Sequence, residues 1–236
     1  MKRHLKRLAI PRSWGIKRKV GGRFAVKPSP GAHSIDTAIP LLHIIRDVLM
    51  YCDNAREGKR IISSRGVMVD GMVTTDYKRG IGLMDVLSFE KTKENYRALI
   101  DRNSKIKLCR ISPDEAKWKL VKIVNKKILK GGKIQLNLHD GRNILVDKKD
   151  YKTGDVLKIE LPKQKILDTF KLEGNNIAYI TGGKHVGELA HITKLEITKS
   201  TQPNIVKMKE GFSIIFPYVF VVGSTEPLIK PPEVVR

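Results

Sequence analysis

The sequence predicts an α+β, multidomain protein with a basic N-terminal extension ahead of its folded domains. Three observations predict this architecture. The first 35 residues contain ten basic and no acidic side chains. Apolar residues then recur at helical spacing from residue 41, and from residue 134 they alternate with polar residues as in β-strands. With 236 residues, 41% of them hydrophobic, the chain is long enough for several small packed domains.

The net charge of +22 favours a polyanionic partner, nucleic acid first and an anionic membrane second. Residues 36–91 hold eight groups of each sign, whereas residues 92–170 hold twenty basic and ten acidic groups. Residues 171–236 hold eight basic and six acidic groups. The excess therefore lies in the extension and in the middle of the chain, where we expect most contacts with the polyanion.

Residues 1–38 form the predicted extension. Prolines and glycines interrupt it and no periodic pattern runs through it, so we expect it to order on binding a nucleic acid. Trp14 and Phe24 lie among the cations, and bases can stack on such rings. The alternative is a solvated tail whose Trp14 packs on the protein body. The candidate contacts are Lys2, Arg3, Lys6, Arg7, Arg12, Trp14, Lys17, Arg18, Lys19, Arg23 and Lys27.

Residues 39–91 are predicted to form two helices and a hairpin. Pro40 suits the start of the first helix, and the second is predicted over residues 54–65, with a capping box of Asn54 and Glu57. Asp70 and Gly71 suit a tight hairpin turn. One face of the second helix is basic, although a merely solvated surface is an equally good interpretation. The candidate contacts are Arg56, Lys59, Arg60, Arg65, Lys78 and Arg79.

Residues 92–170 are predicted to form a small β domain. A short helix is expected near Ser112 and Glu115, and strands are expected on either side of the turns at 140–141 and 153–155. Around the flexible pair Gly131-Gly132, a cationic loop is expected to reach a phosphate backbone, with a solvated loop as the rival interpretation. Its candidate contacts are Lys126, Lys127, Lys130 and Lys133.

Residues 171–225 are predicted to form a third unit, a small β-barrel, followed by a tail at 226–236. An apolar run at 177–180 leads into a glycine-rich turn at 181–187, and a second apolar run follows through Ile192. Alternating residues at 212–222 are expected to complete the sheet. Lys184, within the glycine-rich turn, is a further candidate contact.

No pattern of an enzyme is found. The glycine–lysine pairs lack the Ser or Thr of a phosphate-binding loop, and the dinucleotide pattern at residues 80–85 lacks its third glycine. Cys52 and Cys109 are expected to be small apolar residues rather than nucleophiles. We expect no catalytic residue, cofactor, metal or small-molecule substrate, and no membrane segment. The low cysteine content suits a reducing cytoplasm.

Two helices followed by an Asp-Gly hairpin resemble the S4-type RNA-binding domain. The turn at 181–187 resembles the KOW motif of small SH3-like barrels, with Gly187 at its central glycine. The order of these parts resembles the S4e family of small-subunit ribosomal proteins, in its archaeal form, along essentially the whole chain. The resemblance rests on His4-Leu5-Lys6-Arg7-Leu8-Ala9, Ile39-Pro40-Leu41-Leu42, Val69-Asp70-Gly71, Gly82-Leu83-Met84-Asp85-Val86, Arg110-Ile111-Ser112, Glu115-Ala116-Lys117, His139-Asp140-Gly141-Arg142 and Thr181-Gly182-Gly183-Lys184-His185-Val186-Gly187.

This resemblance implies a structural constituent of the small ribosomal subunit that binds 16S-type rRNA and supports subunit assembly and translation. It also implies neighbouring small-subunit proteins as partners and a location on cytoplasmic ribosomes. One alternative is an RNA-modifying enzyme with an S4-like appendage, which requires a catalytic pocket within residues 92–225. A second is a KOW-containing transcription or translation factor that binds transiently.

Overall fold

A computed structural model describes residues 4–147, 150–199 and 201–232. The chain divides into two compact units: residues up to 99 together with 105–119, and residues 100–104 together with those from 120 onward. The described chain is mostly β-strand with few helices, which places it at the low-helix end of the predicted α+β class. Among the described residues, no helix is long and apolar enough to cross a membrane.

The first unit contains a helix pair and short strands that mostly pair with chain neighbours. Its regular elements are β1 (Leu5–Lys6), β2 (Phe24–Ala25), β3 (Ala38–Pro40), α1 (Leu41–His43), α2 (Ala55–Ser63), β4 (Val67–Val69), β5 (Met72–Val73), β6 (Gly80–Gly82), β7 (Val86–Phe89), β8 (Glu94–Ile100) and β9 (Ile106–Ile111).

The extension is folded against the helix pair. Strands β1 and β2 pair with each other, and Ile10, Trp14 and Ala25 belong to the same buried core as the α1 residues. The Trp14 ring is fully buried and its Nε1–H donates to the Ile35 carbonyl at 3.1 Å. The expectation that this segment orders only on binding is therefore wrong for its described residues, because its own apolar side chains complete the core.

The predicted helices and hairpin are confirmed. α1 continues through a π-helical turn at Ile44–Val48, and α2 begins after the predicted capping box of Asn54 and Glu57. Asp70 and Gly71 both adopt positive φ, 53° and 74°, between β4 and β5. Such angles are those of a tight primed turn, which explains the Asp-Gly pair.

The domain boundary predicted at residue 91 lies inside one sheet. Strands from both sides of it form a five-stranded sheet in the order β5-β4-β7-β8-β9. The hydroxyl of Tyr51 also bonds the carboxylate of Glu94 across the boundary. The first compact unit therefore extends past residue 91. Strands β8 and β9 pair within the sheet of this unit, and not with the strands that follow residue 119.

The second unit consists of two five-stranded sheets, in the orders β12-β11-β10-β13-β14 and β18-β17-β16-β15-β19. Their strands are β10 (Trp118–Ile128), whose first two residues belong to the first unit, β11 (Ile134–Leu138), β12 (Asn143–Val146), β13 (Val156–Glu160), β14 (Ile166–Phe170), β15 (Ile177–Ile180), β16 (Leu189–Glu196), β17 (Ile205–Met208), β18 (Ser213–Ile215) and β19 (Val219–Gly223).

The two sheets of this unit pack together, so the boundary predicted at residue 170 does not separate compact bodies. The buried ammonium of Lys122 on β10 donates to the carbonyls of Phe216, Pro217 and Val219 at 2.7–3.2 Å. Within the first sheet the predicted alternation is confirmed, since β11 buries Ile134, Leu136 and Leu138 in a common core. Its alternate residues lie on the opposite face.

Candidate nucleic-acid interface

In the folded extension, some of the predicted contact residues are buried and others are exposed. Arg7 is 9% exposed, and its Nε–H donates to the Lys17 carbonyl at 2.9 Å, so this guanidinium has a structural role. Lys2 and Arg3 lie outside the described residues. Arg18 and Lys27 are half-buried. The exposed members are Lys6, Arg12, Lys17, Lys19 and Arg23.

Phe24, and not Trp14, is the aromatic ring that the extension presents to solvent. Phe24 is 54% exposed, whereas the Trp14 ring has no exposed surface on which a base could stack. The Arg23 guanidinium lies 5.8 Å from the Phe24 ring centroid, and Lys6 is the cross-strand partner of Phe24. Aromatic rings beside cations are suited to stacking on bases while the cations meet phosphates.

The basic face of α2 is exposed because the opposite face packs tightly on α1. Gly58 faces Leu42 so closely that an added Cβ would lie 2.6 Å from a Leu42 methyl group. This contact leaves Arg56, Lys59 and Arg60 at the surface, where Arg65 is exposed as well.

Tyr77 brings the α2 face and the segment after the hairpin together. The Lys59 ammonium lies 4.4 Å from the Tyr77 ring centroid, and the Lys78 ammonium lies 5.6 Å from it. The two predicted groups therefore form one cationic surface. Arg79 is half-buried and its guanidinium donates to the Thr74 hydroxyl at 2.9 Å.

The lysines around Gly131-Gly132 do not all lie on the same face. In the β10–β11 pairing, Lys126 is opposite the buried Leu136, and its ammonium donates to the Tyr151 carbonyl at 2.9 Å. Lys127 is opposite Gln135 on the outer face. Lys127, Lys130 and Lys133 are exposed, so three of the four predicted residues present their charge to solvent.

The glycine-rich turn at 181–187 exposes Lys184 but partly covers its neighbour. The His185 ring stacks on Phe212 with centroids 4.0 Å apart and planes at 7°, and its Nδ1 lies 3.1 Å from a Glu188 carboxylate oxygen. Gly187 has a φ of 79°, and an added Cβ there would lie 2.6 Å from the backbone nitrogen of Arg102. Only glycine fits this close approach of two backbones.

The first unit contains a buried cluster of charged side chains that the sequence pattern does not predict. Lys119 has no exposed surface, and its ammonium lies 3.0 Å from Asp70 and 2.6 Å from Asp85. His33 lies 3.0 Å from the other Asp85 oxygen. Burial alone would raise the pKa of Asp85, but the Lys119 charge and the hydrogen bond of His33 hold it well below its usual range.

The sequence pattern indicates only a turn role for Asp70 and no structural role for Asp85 or Lys119. Asp70 does accept the Val86 backbone N–H at 2.9 Å, as a turn residue would. Its partner Lys119, however, is 49 residues away in the chain. A salt bridge at such a separation leaves no local signal, so no spacing pattern could have revealed it.

Arg97 is another cation that the fold uses internally. Its guanidinium lies 4.2 Å from the Trp118 ring centroid and donates to the carbonyls of Glu115 and Trp118. Burial lowers the pKa of Arg97 to about 10. Together with Lys119 and Lys122, it shows that part of the cationic excess of residues 92–170 is internal.

The fold and the exposed cations define a class: a mostly β protein with exposed cations on an N-terminal extension and a helix face in its first unit, and on a strand hairpin in its second. Comparison with known proteins narrows this class. Residues 1–36 match the RS4NT (NUC023) domain model, and residues 92–166 match the model of ribosomal family S4e.

Two relatives are named small ribosomal subunit protein eS4. The one from Methanocaldococcus jannaschii is 49% identical over 242 residues, covering 97% of both chains. The one from Methanothermobacter thermautotrophicus is 43% identical over 235 residues, covering 98% of this chain and 96% of the relative. The crystal structure of 30S ribosomal protein S4e from Thermoplasma acidophilum has a TM-score of 0.73 and 38% identity, covering 80% of this chain and 97% of that one.

The chain therefore belongs to the S4e family of ribosomal proteins. This confirms the resemblance that the sequence motifs carried. The named relatives are archaeal ribosomal proteins.

Proposed function

We propose that this chain is a structural constituent of the small ribosomal subunit, where it binds 16S-type rRNA and supports subunit assembly and translation. The observation that carries the proposal is the extension. Residues 1–35 contain ten basic side chains and no acidic one. Its fold keeps five of these cations exposed, and two of them, Lys6 and Arg23, lie next to the exposed ring of Phe24. Phosphates with stacked bases are the complementary ligand.

The proposed contacts are the exposed members of the predicted set, with Phe24 in place of Trp14. The side chains that we assign to rRNA are Lys6, Arg12, Lys17, Lys19, Arg23, Phe24, Arg56, Lys59, Arg60, Arg65, Lys78, Lys127, Lys130, Lys133 and Lys184. Family membership supports rRNA as the polyanion, because ribosomal proteins of this family are named as small-subunit components. We propose neighbouring small-subunit proteins as further partners and the cytoplasmic ribosome as the location.

The helix pair with its hairpin, α1 to β5, is proposed to be an S4-like RNA-binding unit. The close packing of α2 on α1 at Gly58 and the exposed basic face of α2 support this. The sheet of β15–β19 is proposed to be a KOW-type SH3-like barrel. The positive φ and tight backbone approach at Gly187 support that assignment.

Point variants of the extension test the proposal, because deleting the whole segment would remove Ile10 and Trp14 from the core. Joint replacement of Lys17, Lys19 and Arg23 by Gln removes three charges. Each phosphate contact contributes roughly 0.7–0.9 to the slope of log affinity against log salt. Binding to a 16S-type rRNA transcript should therefore lose about two units of slope, as measured by filter binding from 50 to 200 mM salt.

The matched control replaces Lys163, Lys165 and Lys171 by Gln, three exposed lysines outside the proposed surface. It removes the same charge and should leave the slope nearly unchanged. An equal loss of slope in both triple variants would mean that the chain binds as an unspecific polycation, and the proposed surface would be wrong.

Residence in the particle is a separate part of the proposal. A constituent should remain near one copy per small subunit when particles are washed with high salt and sedimented. A chain that leaves the particle under this wash would instead be a transient factor, and the constituent role would be rejected.

A further inference from the structure

A row of asparagines crosses the outer face of the sheet formed by β10, β11 and β12. Asn125 on β10 is the cross-strand partner of Asn137 on β11, and Asn137 is the partner of Asn143 on β12. Directly opposed residues project to the same face of a sheet. Asn125 and Asn143 are exposed and Asn137 is half-buried. Three amides therefore stand side by side over a distance of about 10 Å, two strand spacings.

Strand stability does not explain this row. Asparagine is among the residues depleted in strands, whereas β-branched residues are favoured there. The inner face of the same three strands follows the ordinary pattern, with Ile134 and Leu136 buried in the core. Asn125 adjoins a register shift of β10 and Asn143 begins β12, so strand propensity disfavours Asn137, in the interior of β11, most clearly. The alignment of its amide with two others on the outer face indicates a requirement for amide groups.

The surroundings of the row favour an RNA ligand. Two residues further along each strand, the next cross-strand set is Lys127, Gln135 and Leu145. The sequences of β10, β11 and β12 contain no acidic residue. Beyond Lys127, the hairpin tip carries Lys130 and Lys133. A Cβ built at Gly131 or Gly132 would have no other atom within 4 Å, so the tip is surrounded by open space. Lys127 is therefore two residues from the asparagine row, and the cationic tip lies further along the same hairpin.

Two of the amides are already oriented. The Gln135 Nε2 donates to the side-chain Oδ1 of Asn137 at 2.8 Å, and the side-chain Oδ1 of Asn125 accepts the Lys126 backbone N–H at 2.7 Å. An ordered amide loses less freedom when it binds a ligand.

We infer that this asparagine row contacts the 2′-hydroxyls and base edges in the minor groove of an rRNA helix, while the lysines of the tip contact its phosphates. An amide supplies both donors and an acceptor, and a 2′-hydroxyl is likewise both donor and acceptor. The minor groove of an RNA helix is wide and shallow, so side chains on the face of a sheet can reach these groups. The inference rests on the proposed function and adds a means of distinguishing RNA from DNA.

The test replaces Asn125, Asn137 and Asn143 jointly by Thr in the full chain. Thr is favoured in strands, so the fold should keep or gain thermal stability. Affinity for a 16S-type rRNA transcript should fall about tenfold, because well-placed amide contacts discriminate by roughly that factor or more. The salt slope should stay unchanged, since no charge is removed. In 2′-hydroxyl acylation of the transcript, the variant should lose protections at one helix that the wild type gives.

Two further variants separate the causes. Asn95→Thr, at a strand asparagine of the other unit, should leave affinity and protections unchanged. Replacement of Lys127, Lys130 and Lys133 by Gln should lower the salt slope. If the triple Thr variant keeps wild-type affinity and protections, the inference is wrong even where the lysine variant weakens binding and the proposed function holds.

A protein partner for this face is also distinguishable. In that case the triple Thr variant would bind the transcript like wild type but would be lost from subunits reconstituted with the other small-subunit proteins, which overturns the inference. If the wild-type chain itself fails to bind the transcript, the proposed function fails, and this outcome is separate from any result with the asparagine variant.

Discussion

The two ends of strand β10 place the same residue type in opposite roles. Near its start, Lys119 and Lys122 are buried, and protein carboxylates or carbonyls surround their ammonium groups. Near its end, Lys127 is exposed on the outer face of the sheet, and Lys126 is half-buried between these extremes. Charge in the sequence therefore indicates a polyanionic partner but not which residues would contact it. Burial decides which lysines belong to the fold and which are left exposed at the surface.

The sharpest test of this comparison is Lys119→Met. The change leaves Asp70 and Asp85 buried without their cation, and breaking a buried pair in this way costs about 3–5 kcal/mol. We expect the free energy of unfolding in urea to fall by that amount. Lys127→Met on the same strand is the control and should stay within about 0.5 kcal/mol of wild type. Equal small effects at both positions would refute the division of β10.

Lys122 should give the next largest effect, seen as a pH dependence of stability. Burial lowers the pKa of its ammonium to about 8, below the value of about 10.4 in an unfolded chain. Between these values the unfolded chain holds more protons, so stability rises with pH. From pH 7.5 to 10, wild type should gain about 1–3 kcal/mol relative to Lys122→Met in urea unfolding. Parallel pH profiles of the two proteins would contradict the buried charge.

The exposed end of the hairpin should affect binding and not stability. Replacing Lys127, Lys130 and Lys133 by Gln should lower the salt slope of rRNA binding by about two units. The unfolding free energy should change by less than about 0.5 kcal/mol. Filter binding and urea titration of the same preparation check both. A stability loss above 2 kcal/mol with an unchanged slope would assign these lysines to the fold.

Substitution of Lys126 should have the smallest effect on stability and binding, because its side chain is neither fully buried nor fully exposed. Lys126→Gln removes the bond from its ammonium to the Tyr151 carbonyl, which is worth about 0.5–1.5 kcal/mol. The salt slope should not change. If Lys126→Gln lowers the salt slope as much as Lys127→Gln does, the position of the two side chains on opposite faces of the sheet does not affect binding.

In the extension, the two aromatic residues show the same contrast between a buried and an exposed side chain. In the sequence both Trp14 and Phe24 lie among cations, and Trp14 is the predicted base-stacking contact. The structure buries Trp14 beside His43, with ring centroids 5.6 Å apart, and exposes Phe24. Both rings have similar sequence surroundings. Only the position of each ring relative to α1 distinguishes a core residue from a candidate contact.

Local chemistry in the sequence determined the elements whose stabilising groups are close neighbours in the chain. The capping box at Asn54 and Glu57, the Asp70-Gly71 turn and the alternation of β11 all follow from interactions over a few residues, and all were predictable. Tertiary structure alone decided that Lys119 neutralises Asp70 and Asp85, and that β8 and β9 complete the five-stranded sheet of the first unit. The physical reason is that long-range ion pairs and strand pairings depend on where the chain returns in space, and neither residue type nor spacing encodes that return.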